Sequence, residues 1–428
     1  MKILKDRVGL MNYYKGNINR LDNWEKLKLK DVCSRIFSGG TPNTNKIEYW
    51  NGSLPWLSSG ETRNRLISKT ENTITELGVA NSSTRLAKAG SSVIASAGQG
   101  HTRGQVSYLL IDTYINQSII ALFPRDEKMD SKFLFYSLNI KYERLRQISD
   151  DHSIRGSITT KLLGEELIDV PPIQEQIAIA KILSDLDAKY ELNQKMNKTL
   201  EAIAQAIFKH WFIDFEFPNE EGKPYKSSGG VMVDSDWGEI PKGWEVTNLG
   251  YHIKFKKGKK PVEINSNEDP NLIPIISMEM LEGGHPNLGN PLGMNIASKY
   301  DPVMVMDGAS SGRVEIGFEG IVGSTFASVT SNSDRVSNFY LYHTLKVIEH
   351  EIRNNPTGTS IPHTDKSKIS KMKTLIPDRR VLHLFDEFIR VSIDTIVKNR
   401  KVIIILAEIK NLELPRLMTG KIRVPLEE

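Results

Sequence analysis

Apolar residues near the end of the chain recur with the spacing of a long helix. From Leu384 to Leu412 they fall at alternating steps of four and three residues, the pattern of a coiled-coil seam. The same frame moved back by 205 positions falls on a second run that begins at Ile179. The predicted seam residues are Ile179, Leu183, Leu186, Tyr190, Asn193, Asn197, Leu200, Ala204 and Ile207 in the first helix, and Leu384, Phe388, Val391, Thr395, Lys398, Val402, Ile405, Ile409 and Leu412 in the second.

Neither run is interrupted by proline or glycine, which would break a helix. The uninterrupted stretches cover residues 173–217 and 378–414, and prolines stand just before both, where they are tolerated. Two amphipathic helices in separate cores would satisfy this pattern. We favour two long helices that pack antiparallel, because the polar residues Asn193 and Lys398 hold equivalent mid-seam positions and would fix the register of such a pair.

The segment before each long helix has a different texture. Short runs such as "SSVIASA", "VSYLLI", "SIIALF" and "GRVEIGF" predict strands, and "KFLFYSLN" and "NFYLYHTLKVIEHEIR" predict helices. Each half is therefore predicted to be a mixed α/β globule followed by one long helix. The predicted fold class is mixed α/β (α+β), with two pseudo-symmetric globules separated by two long antiparallel coiled-coil helices.

The two halves share short motifs in the same order, which indicates an internal duplication. The matching pairs are "DNWEKLKLKDVCSRIFSGGTP" (22–42) with "PKGWEVTNLGYHIKFKKGKKP" (241–261), "PWLS" (55–58) with "PIIS" (274–277), and "GQV" (104–106) with "GRV" (312–314). The offset falls from 220 to about 205, as loops of different length would cause. The predicted segments are a leader at 1–22, a first globule at 23–170, a first long helix at 171–216, a linker at 217–240, a second globule at 241–376, a second long helix at 377–414 and a tail at 415–428.

Length and composition limit the class of protein. A chain of 428 residues is expected to form two domains of ordinary size. Its 56 basic and 52 acidic residues nearly balance, so basic patches must be local. Cys33 is the single cysteine, which excludes an internal disulfide and fits a reducing, cytoplasmic compartment. The charged N-terminus and the short apolar run at 402–407 predict neither a signal peptide nor a membrane span.

Signatures of an active site are missing from the sequence. No stretch has the GxxxxGK[ST] pattern of a phosphate-binding loop, and "GQGHTRG" does not match the dinucleotide fingerprint. "DVPPI" (169–173) differs from the Asn/Asp-Pro-Pro-aromatic motif of amino methyltransferases and is better explained as a helix start. The histidines lack metal-ligand spacing. The sequence therefore predicts no catalytic residues, no metal site and no cofactor in this chain.

Polar and basic loops are the remaining candidates for function. "KFKKGKKP" (254–261) places five lysines in one short segment, which is either a solvated loop or a grip on phosphate. "SAGQGHTRGQ" (96–105) carries side chains that can hydrogen-bond to base edges or phosphates, or it is a polar hairpin turn. The candidate DNA-binding residues are Ser58, Ser59, Arg63, Arg65, Arg85, Gln99, His101, Thr102 and Arg103 in the first half, and Lys254, Lys256, Lys257, Lys259, Lys260, Ser277, Ser310, Ser311 and Arg313 in the second. The loops differ between the halves, which suits the reading of two short DNA sequences, although a duplicated solute-binding domain would share the pattern.

Four motifs resemble those of the specificity (S) subunit of type I restriction-modification systems. They are "PPIQEQIAIAKIL" (171–183), "FKHWFIDFEF" (208–217), "GEIPKGWEV" (238–246) and "LPRLMTGKI" (414–422). With the duplication, the resemblance covers nearly the whole chain. The second half departs from the family pattern in "LIPDRRVLHLF" (375–385), which lacks the Pro-Gln-Glu-Gln wording.

The resemblance implies that each globule is a target recognition domain for one half of a split double-stranded DNA sequence. It implies that the helices set the spacer and dock two modification methyltransferase subunits, which would bind S-adenosylmethionine, while a motor-nuclease restriction subunit joins for cleavage. The 28-residue frame from Ile179 to Ile207 would span about 42 Å, or roughly 12 base pairs. Two alternatives stay open: another DNA-binding scaffold or adaptor, and a fused DNA methyltransferase or nuclease.

Overall fold

The structure is a computed structural model, which describes residues 23–98, 101–152, 157–261, 269, 271–354 and 362–424, apart from the side chains of 149, 151 and 152. The leader and Gln99 lie outside the described residues. Two compact units divide the chain: Met1–Ala188 together with Glu408–Glu428, and Lys189–Ala407. The long helices α6 (Ile173–Phe212) and α10 (Arg379–Met418) each begin in one unit and end in the other.

The first unit contains two main sheets and one strand pair. Its strands are β1 (Glu25–Lys28), β2 (Cys33–Ser38), β3 (Trp50–Leu57), β4 (Leu66–Ile67), β5 (Asn72–Ile74), β6 (Arg85–Ala87), β7 (Ser92–Ala95), β8 (Val106–Leu109), β9 (Thr113–Ile115), β10 (Ile119–Pro124) and β11 (Leu167–Val170). The larger sheet has the order β2-β10-β7-β8-β4, the smaller one β5-β3-β9-β6, and β1 pairs with β11. Its short helices are α1 (Leu29–Val32), α2 (Glu76–Ala80), α3 (Ser131–Asn139), α4 (Tyr142–His152) and α5 (Thr160–Glu165).

The second unit repeats this topology. Its strands are β12 (Met232–Ser235), β13 (Gly238–Pro241), β14 (Glu245–Asn248), β15 (Ile253–Lys257), β16 (Ile273–Ile276), β17 (Leu288–Gly289), β18 (Ile296–Ala297), β19 (Val303–Val305), β20 (Val314–Glu315), β21 (Gly320–Val322), β22 (Phe326–Ser331) and β23 (Lys373–Ile376). Its short helices are α7 (Met278–Leu281), α8 (Asn338–Asn354) and α9 (Lys366–Lys371). The sheets have the orders β15-β22-β19-β20 and β17-β16-β21-β18, and β14 pairs with β23.

The duplication predicted from sequence is visible strand by strand. The "PWLS" strand β3 lies parallel to β9, with Trp56 opposite Tyr114, and the "PIIS" strand β16 lies parallel to β21, with Ile275 opposite Ile321. One difference lies in the helices, because the single helix α8 stands where the first unit has α3 and α4. The mixed α/β class with a long helix closing each half is therefore the fold of this chain.

The end of the second long helix completes the core of the first unit. Leu417 and Met418 are buried there, as is Val424. The guanidinium of Arg423 donates two hydrogen bonds to the carboxylate of Glu175, at 2.5 and 2.8 Å, and Glu175 is almost wholly buried. Because a buried charge is costly without a partner, this ion pair ties the C-terminal segment to the start of α6.

The segment after the first long helix belongs to the second unit in the same way. The ring of Phe217 stacks between those of Tyr225 and Trp244, with centroid distances of 4.5 and 5.1 Å. The antiparallel hairpin β12–β13 follows. Residues 217–240, predicted as a polar linker, are thus folded, because aromatic packing outweighs their Gly- and Ser-rich composition.

The two long helices run antiparallel inside the second unit. Phe212 packs on Phe385 with a centroid distance of 5.0 Å, whereas Asn197 accepts a hydrogen bond from Asn399 at 2.9 Å. In the first helix, the predicted seam residues Ile179, Leu183, Asn193, Asn197 and Ala204 are buried, and Leu186, Tyr190, Leu200 and Ile207 are half-buried.

The predicted seam of the second helix is wrong by one residue. Val391 is 67% exposed, whereas Ile389 is 0% exposed and packs in the core with Ile393 and Ile396. Of the predicted residues, Phe388, Val391, Lys398, Ile405 and Leu412 are exposed and Leu384 is half-buried. The expected meeting of Asn193 with Lys398 is also wrong, because the neighbouring Asn399 faces the first helix.

Candidate nucleic-acid interface

One loop in each unit joins equivalent adjacent strands, β7 to β8 in the first unit and β19 to β20 in the second, and the two loops share backbone hydrogen bonds at their closing ends. In the loop from β7 to β8, the N–H of Gly104 donates to the carbonyl of Ala95 at 2.9 Å. In the loop from β19 to β20, the N–H of Gly312 donates to the carbonyl of Val305 at 2.8 Å. Both glycines have left-handed backbones, with φ of +85° and +87°. We call residues 96–98 with 101–105, and residues 306–313, the glycine loops.

A helix faces each glycine loop at the glycine itself. A Cβ placed on Gly104 would lie 3.3 Å from Cγ of Arg146 on α4, and a Cβ on Gly312 would lie 3.0 Å from Cγ of Arg353 on α8. The two arginines are 207 positions apart, the same offset that relates α3 to α8 at their first residues. Sequence analysis missed both, although extending the duplication into these helices would have found them. We call α4 and α8 the loop-facing helices.

A cleft of about 160 Å³ lies beside the glycine loop of the first unit. Its walls include Arg63, Arg65, Gln105, Asn139 and Tyr142. The fold therefore brings together two of the arginines predicted from sequence with an amide from the glycine loop. Arg63 is exposed and pairs with Glu71 at 2.6 Å, an ion pair that water screens.

Contacts with Asp187 on the first long helix and with Phe135 fix the position of Arg65. Its guanidinium donates to the carboxylate of Asp187 at 3.2 Å and lies over the ring of Phe135, 5.3 Å from the centroid. Asp187 also accepts from the hydroxyl of Tyr136 at 2.8 Å and from the ammonium of Lys410. Arg65 is therefore part of a network that joins it to α6 within the first unit, which the sequence did not indicate.

The other predicted DNA-binding residues of the first half differ in exposure and in hydrogen-bond partners. Arg103 is only 13% exposed and pairs with Asp150 on the loop-facing helix at 2.6 Å, so its charge is used within the unit. His101 and Arg85 are exposed, and Thr102 is half-buried. Ser58 caps the short helix Ser59–Arg63 in a capping box with Glu61, which engages its hydroxyl.

A larger cleft, of about 660 Å³, occupies the equivalent region of the second unit. Its walls include Gln205, Lys346, Glu349, His350, Arg353 and Asn354. Lys346 and Glu349 stand where the first cleft has Asn139 and Tyr142, at the same offset of 207. The two clefts therefore share a place in the fold but differ in the side chains that line them.

Charges around the second cleft form a network. Arg313 pairs with Glu315 at 2.8 Å, and Lys346 pairs with Glu349 at 2.8 Å. The neighbouring carboxylates raise the pKa of Arg313 in spite of its partial burial, which lowers it. Of the other predicted loop residues, Ser310 is half-buried and Ser311 is buried. Ser277 caps α7, since its hydroxyl accepts from the N–H of Met280 at 3.3 Å.

The floor of the second cleft is aromatic and uncharged. His343 lines it and stacks on Phe208, with ring centroids 5.4 Å apart. Burial and, as the smaller cause, the ammonium of Lys346 together lower the pKa of His343 to about 3, so the imidazole is neutral at physiological pH.

The predicted basic run forms strand β15 and the residues after it. Among the described strands, this one is at the edge of its sheet and pairs with β22 alone. Lys254, Lys256, Lys259 and Lys260 are exposed. Lys257 is also exposed, but its ammonium pairs with Asp307 on the second glycine loop at 2.9 Å.

The described part of the chain offers neither a metal site nor a membrane-spanning helix. It contains no group of three or more His, Cys, Asp or Glu residues able to hold a metal ion. None of the described helices has the length and hydropathy that a bilayer crossing requires. Burial raises the pKa of the Cys33 thiol to about 12, so this buried cysteine is not a ready nucleophile.

Residues 21–202 match a family model described as the type I restriction modification DNA specificity domain. The type I restriction enzyme MjaIX specificity subunit of Methanocaldococcus jannaschii is 30% identical over 426 residues, which covers 94% of each chain. This chain belongs to the specificity-subunit family of type I restriction enzymes. The matched residues thus cover the N-terminal part of the first unit, without its C-terminal segment 408–428, and most of α6.

Further similarities agree with that membership. The EcoR124I/EcoR124II specificity subunit of Escherichia coli is 29% identical over 215 residues, which covers 49% of this chain and 53% of that subunit. A crystal structure of the S subunit of a type I restriction-modification system from M. genitalium superposes with a TM-score of 0.64, at 16% identity, over 94% of this chain and 98% of that one. The specificity-subunit fold is therefore shared across very different sequences.

Proposed function

We propose that each half of this specificity subunit reads one part of a bipartite DNA target. The observation that carries the proposal is the pair of glycine loops, which have the same backbone hydrogen bonds but different side chains. A repeated scaffold gives each loop the same approach to a duplex, while unlike side chains select unlike base pairs. The exposed lysines of β15 would hold phosphate, since lysine is a flexible point charge without a fixed geometry.

We further propose that the long helices set the spacer and dock two modification methyltransferase subunits. Support comes from apolar side chains that stay exposed in the second unit: Leu192, Met196 and Ile203 on α6, and Phe388, Val391 and Ile405 on α10. Exposed apolar stripes of this kind are typical of protein–protein contacts. The off-register stripe of α10, predicted as the inner seam, is then the stripe offered to a partner.

Catalysis is assigned to the partners in this proposal. The methyltransferase subunits would bind S-adenosylmethionine and methylate adenine, a motor-nuclease subunit would cleave, and all would meet this chain in the cytoplasm. Purified alone, the chain should neither transfer a labelled methyl group to DNA nor cut it. Turnover by a preparation free of partner subunits would instead support a fused enzyme.

A segment exchange tests the division of labour. Residues 24–160 are replaced by the matching segment of a relative with a different target, and the host methylome is sequenced. We expect one half of the methylated motif to change and the other half and the spacer to stay. A change in both halves would show that the halves do not read independently. A host methylome that is the same with and without the gene would favour an adaptor without specificity.

A further inference from the structure

We propose that the cleft beside each glycine loop is the DNA contact site of its unit, with Arg353 in the wall of the second cleft and its repeat equivalent Arg146 packed on Gly104 at the edge of the first. The inference rests on the proposed function and deepens it by naming the subsite. The ligand is a pair of hydrogen-bond acceptors on DNA, spaced to match a guanidinium: the O6 and N7 edge of guanine or two phosphate oxygens.

The first argument is the repeated packing of arginine on glycine. In both units the stem of the arginine lies so close to the glycine that a Cβ there would meet its Cγ at 3.3 or 3.0 Å. Each left-handed glycine therefore leaves room for the facing helix: the stem of Arg146 lies beside Gly104, and the stem of Arg353 lies beside Gly312 together with Ile352, whose Cγ2 would be 2.8 Å from the Cβ. An arrangement preserved between halves whose side chains otherwise differ is best explained by a task that both halves perform.

The second argument is the chemistry of the cleft walls. The first cleft adds the cations of Arg63 and Arg65 and the amides of Gln105 and Asn139. The second cleft adds the cation of Lys346, with further donors on Gln205 and Asn354. Amides and guanidinium groups are the side chains that recognise purine edges in the major groove.

The third argument is that the arginines are partly accessible while their stems are fixed. Arg146 is half-buried, donates to the hydroxyl of Tyr142 at 2.9 Å and lies over that ring. Arg353 is exposed, and Glu349 is 3.8 Å from its guanidinium. Glu349 is shared with Lys346 and with the backbone N–H of Val314, so it leaves donors of Arg353 to a ligand. A held stem lowers the entropy cost of ordering the long side chain on DNA.

The two clefts carry different side chains at two equivalent lining positions. Asn139 and Tyr142 of the first cleft correspond to Lys346 and Glu349 of the second. An amide and a phenol recognise a different edge from an ammonium and a carboxylate, since only a carboxylate accepts from the cytosine amine without donating. The halves are therefore predicted to prefer different bases at equivalent positions.

The test is selection from a random duplex pool by the subunit assembled with its modification methyltransferase subunits. Wild type is compared with Arg146→Gln and Arg353→Gln. We expect Arg146→Gln to reduce base preference roughly tenfold or more at a position in one half-motif, and Arg353→Gln to do so in the other half only. Controls are Arg144→Gln, two residues away on α4 and near Glu166, and Arg335→Gln, which pairs with Glu245. Both controls should select the wild-type motif.

Lysine variants distinguish the two sources of acceptors. Arg146→Lys and Arg353→Lys should keep affinity if the arginine holds phosphate, and should lose base preference if it reads guanine. In the phosphate case the glutamine variants weaken all duplexes alike and reduce the salt slope by roughly 0.9. A bipartite wild-type motif that both glutamine variants retain, with an unchanged salt slope, would overturn the inference. A wild-type complex that selects no bipartite motif would overturn the proposed function itself.

Discussion

At the scale of single residues, the polar layer between the long helices has a defined partner set. In the second unit, the amide of Asn399 donates to the side-chain oxygen of Asn197 at 2.9 Å, and both side chains are buried. Asn193 is also buried, and its amide nitrogen has no hydrogen-bond partner among the described residues. A buried amide pair disfavours every register that separates the two residues, because each would then lose its partner.

Replacing Asn399 by alanine should lower the free energy of unfolding by about 1–3 kcal/mol, because the buried amide of Asn197 loses its donor. Chemical denaturation of the full chain measures this. The matched control is Lys398→Ala, one position away and exposed, which should change stability by less than about 0.5 kcal/mol. If Lys398→Ala proved the more damaging of the two, the register described here would be wrong.

His343 gives a pH dependence whose sign follows from its surroundings. Its pKa of about 3 in the folded chain lies below the ordinary value of 6.5, because the ring is buried. The unfolded chain takes up this proton first as pH falls, so the stability that the neutral ring contributes is present above pH 6.5 and is lost progressively towards pH 3. The loss is at most about 1.4 kcal/mol per pH unit.

The comparison variant is His343→Phe, which keeps an aromatic ring against Phe208. Between pH 7.5 and pH 5, wild type should lose about 2 kcal/mol more than the variant in denaturation experiments. Asp386 acts in the opposite sense, since burial raises its pKa to about 6, but it is present in both proteins and cancels. Parallel curves for the two proteins would contradict a neutral buried His343.

At the scale of elements, the edge strand β15 and the residues after it present lysines to solvent, and no other described strand pairs with β15 on its outer side. Replacing Lys254, Lys256, Lys259 and Lys260 by alanine should weaken binding to matched and mismatched duplexes alike. The salt slope of binding should fall by roughly 0.9 for each lysine that contacts phosphate. Lys257→Ala is the internal control, because its ammonium is paired with Asp307. A changed base preference with an unchanged slope would assign the strand to base recognition.

The long helices show where sequence patterns succeed and where they fail. The buried face of α6 could be predicted, because polar residues on its other faces leave few alternative apolar stripes. In α10, apolar residues occupy two adjacent stripes, with Phe388 beside Ile389 and an unbroken run from Val402 to Leu406. Spacing alone cannot choose between such stripes, because the choice depends on the surface that the helix meets. The inner stripe is fixed by the core of the second unit.

The loops of the candidate interface could be predicted from the sequence, but the side-chain contacts that hold its arginines could not. The glycine loops were visible as punctuated polar segments, whereas the contact of Arg65 with Asp187 joins residues 122 positions apart. Such a pair depends on tertiary packing that no local pattern encodes. Arg103 likewise pairs with Asp150 on the loop-facing helix, 47 positions away.

At the scale of the whole molecule, the first unit is built from both ends of the chain. A variant that ends at Arg416 loses three buried apolar side chains, at Leu417, Met418 and Val424. It also leaves the carboxylate of Glu175 without Arg423, and breaking a buried pair costs about 3–5 kcal/mol. We expect faster hydrogen exchange in the first unit, including β1 and β11, and unchanged exchange in the second unit. The control lacks only residues 425–428, and equal exchange in both variants would contradict this account.

The split make-up of the first unit has a consequence for biosynthesis. Residues 23–188 leave the ribosome early in translation. Residues 417–424, which fill the core of the first unit, emerge only after the second unit has been translated. The nascent first unit therefore carries an open apolar cleft around Trp24 for most of elongation, a surface of the kind that chaperones hold and proteases attack. Truncated chains that end before Val424 keep this apolar cleft incompletely filled. Translation order thus leaves the core of the first unit incomplete until residues 417–424 have been made.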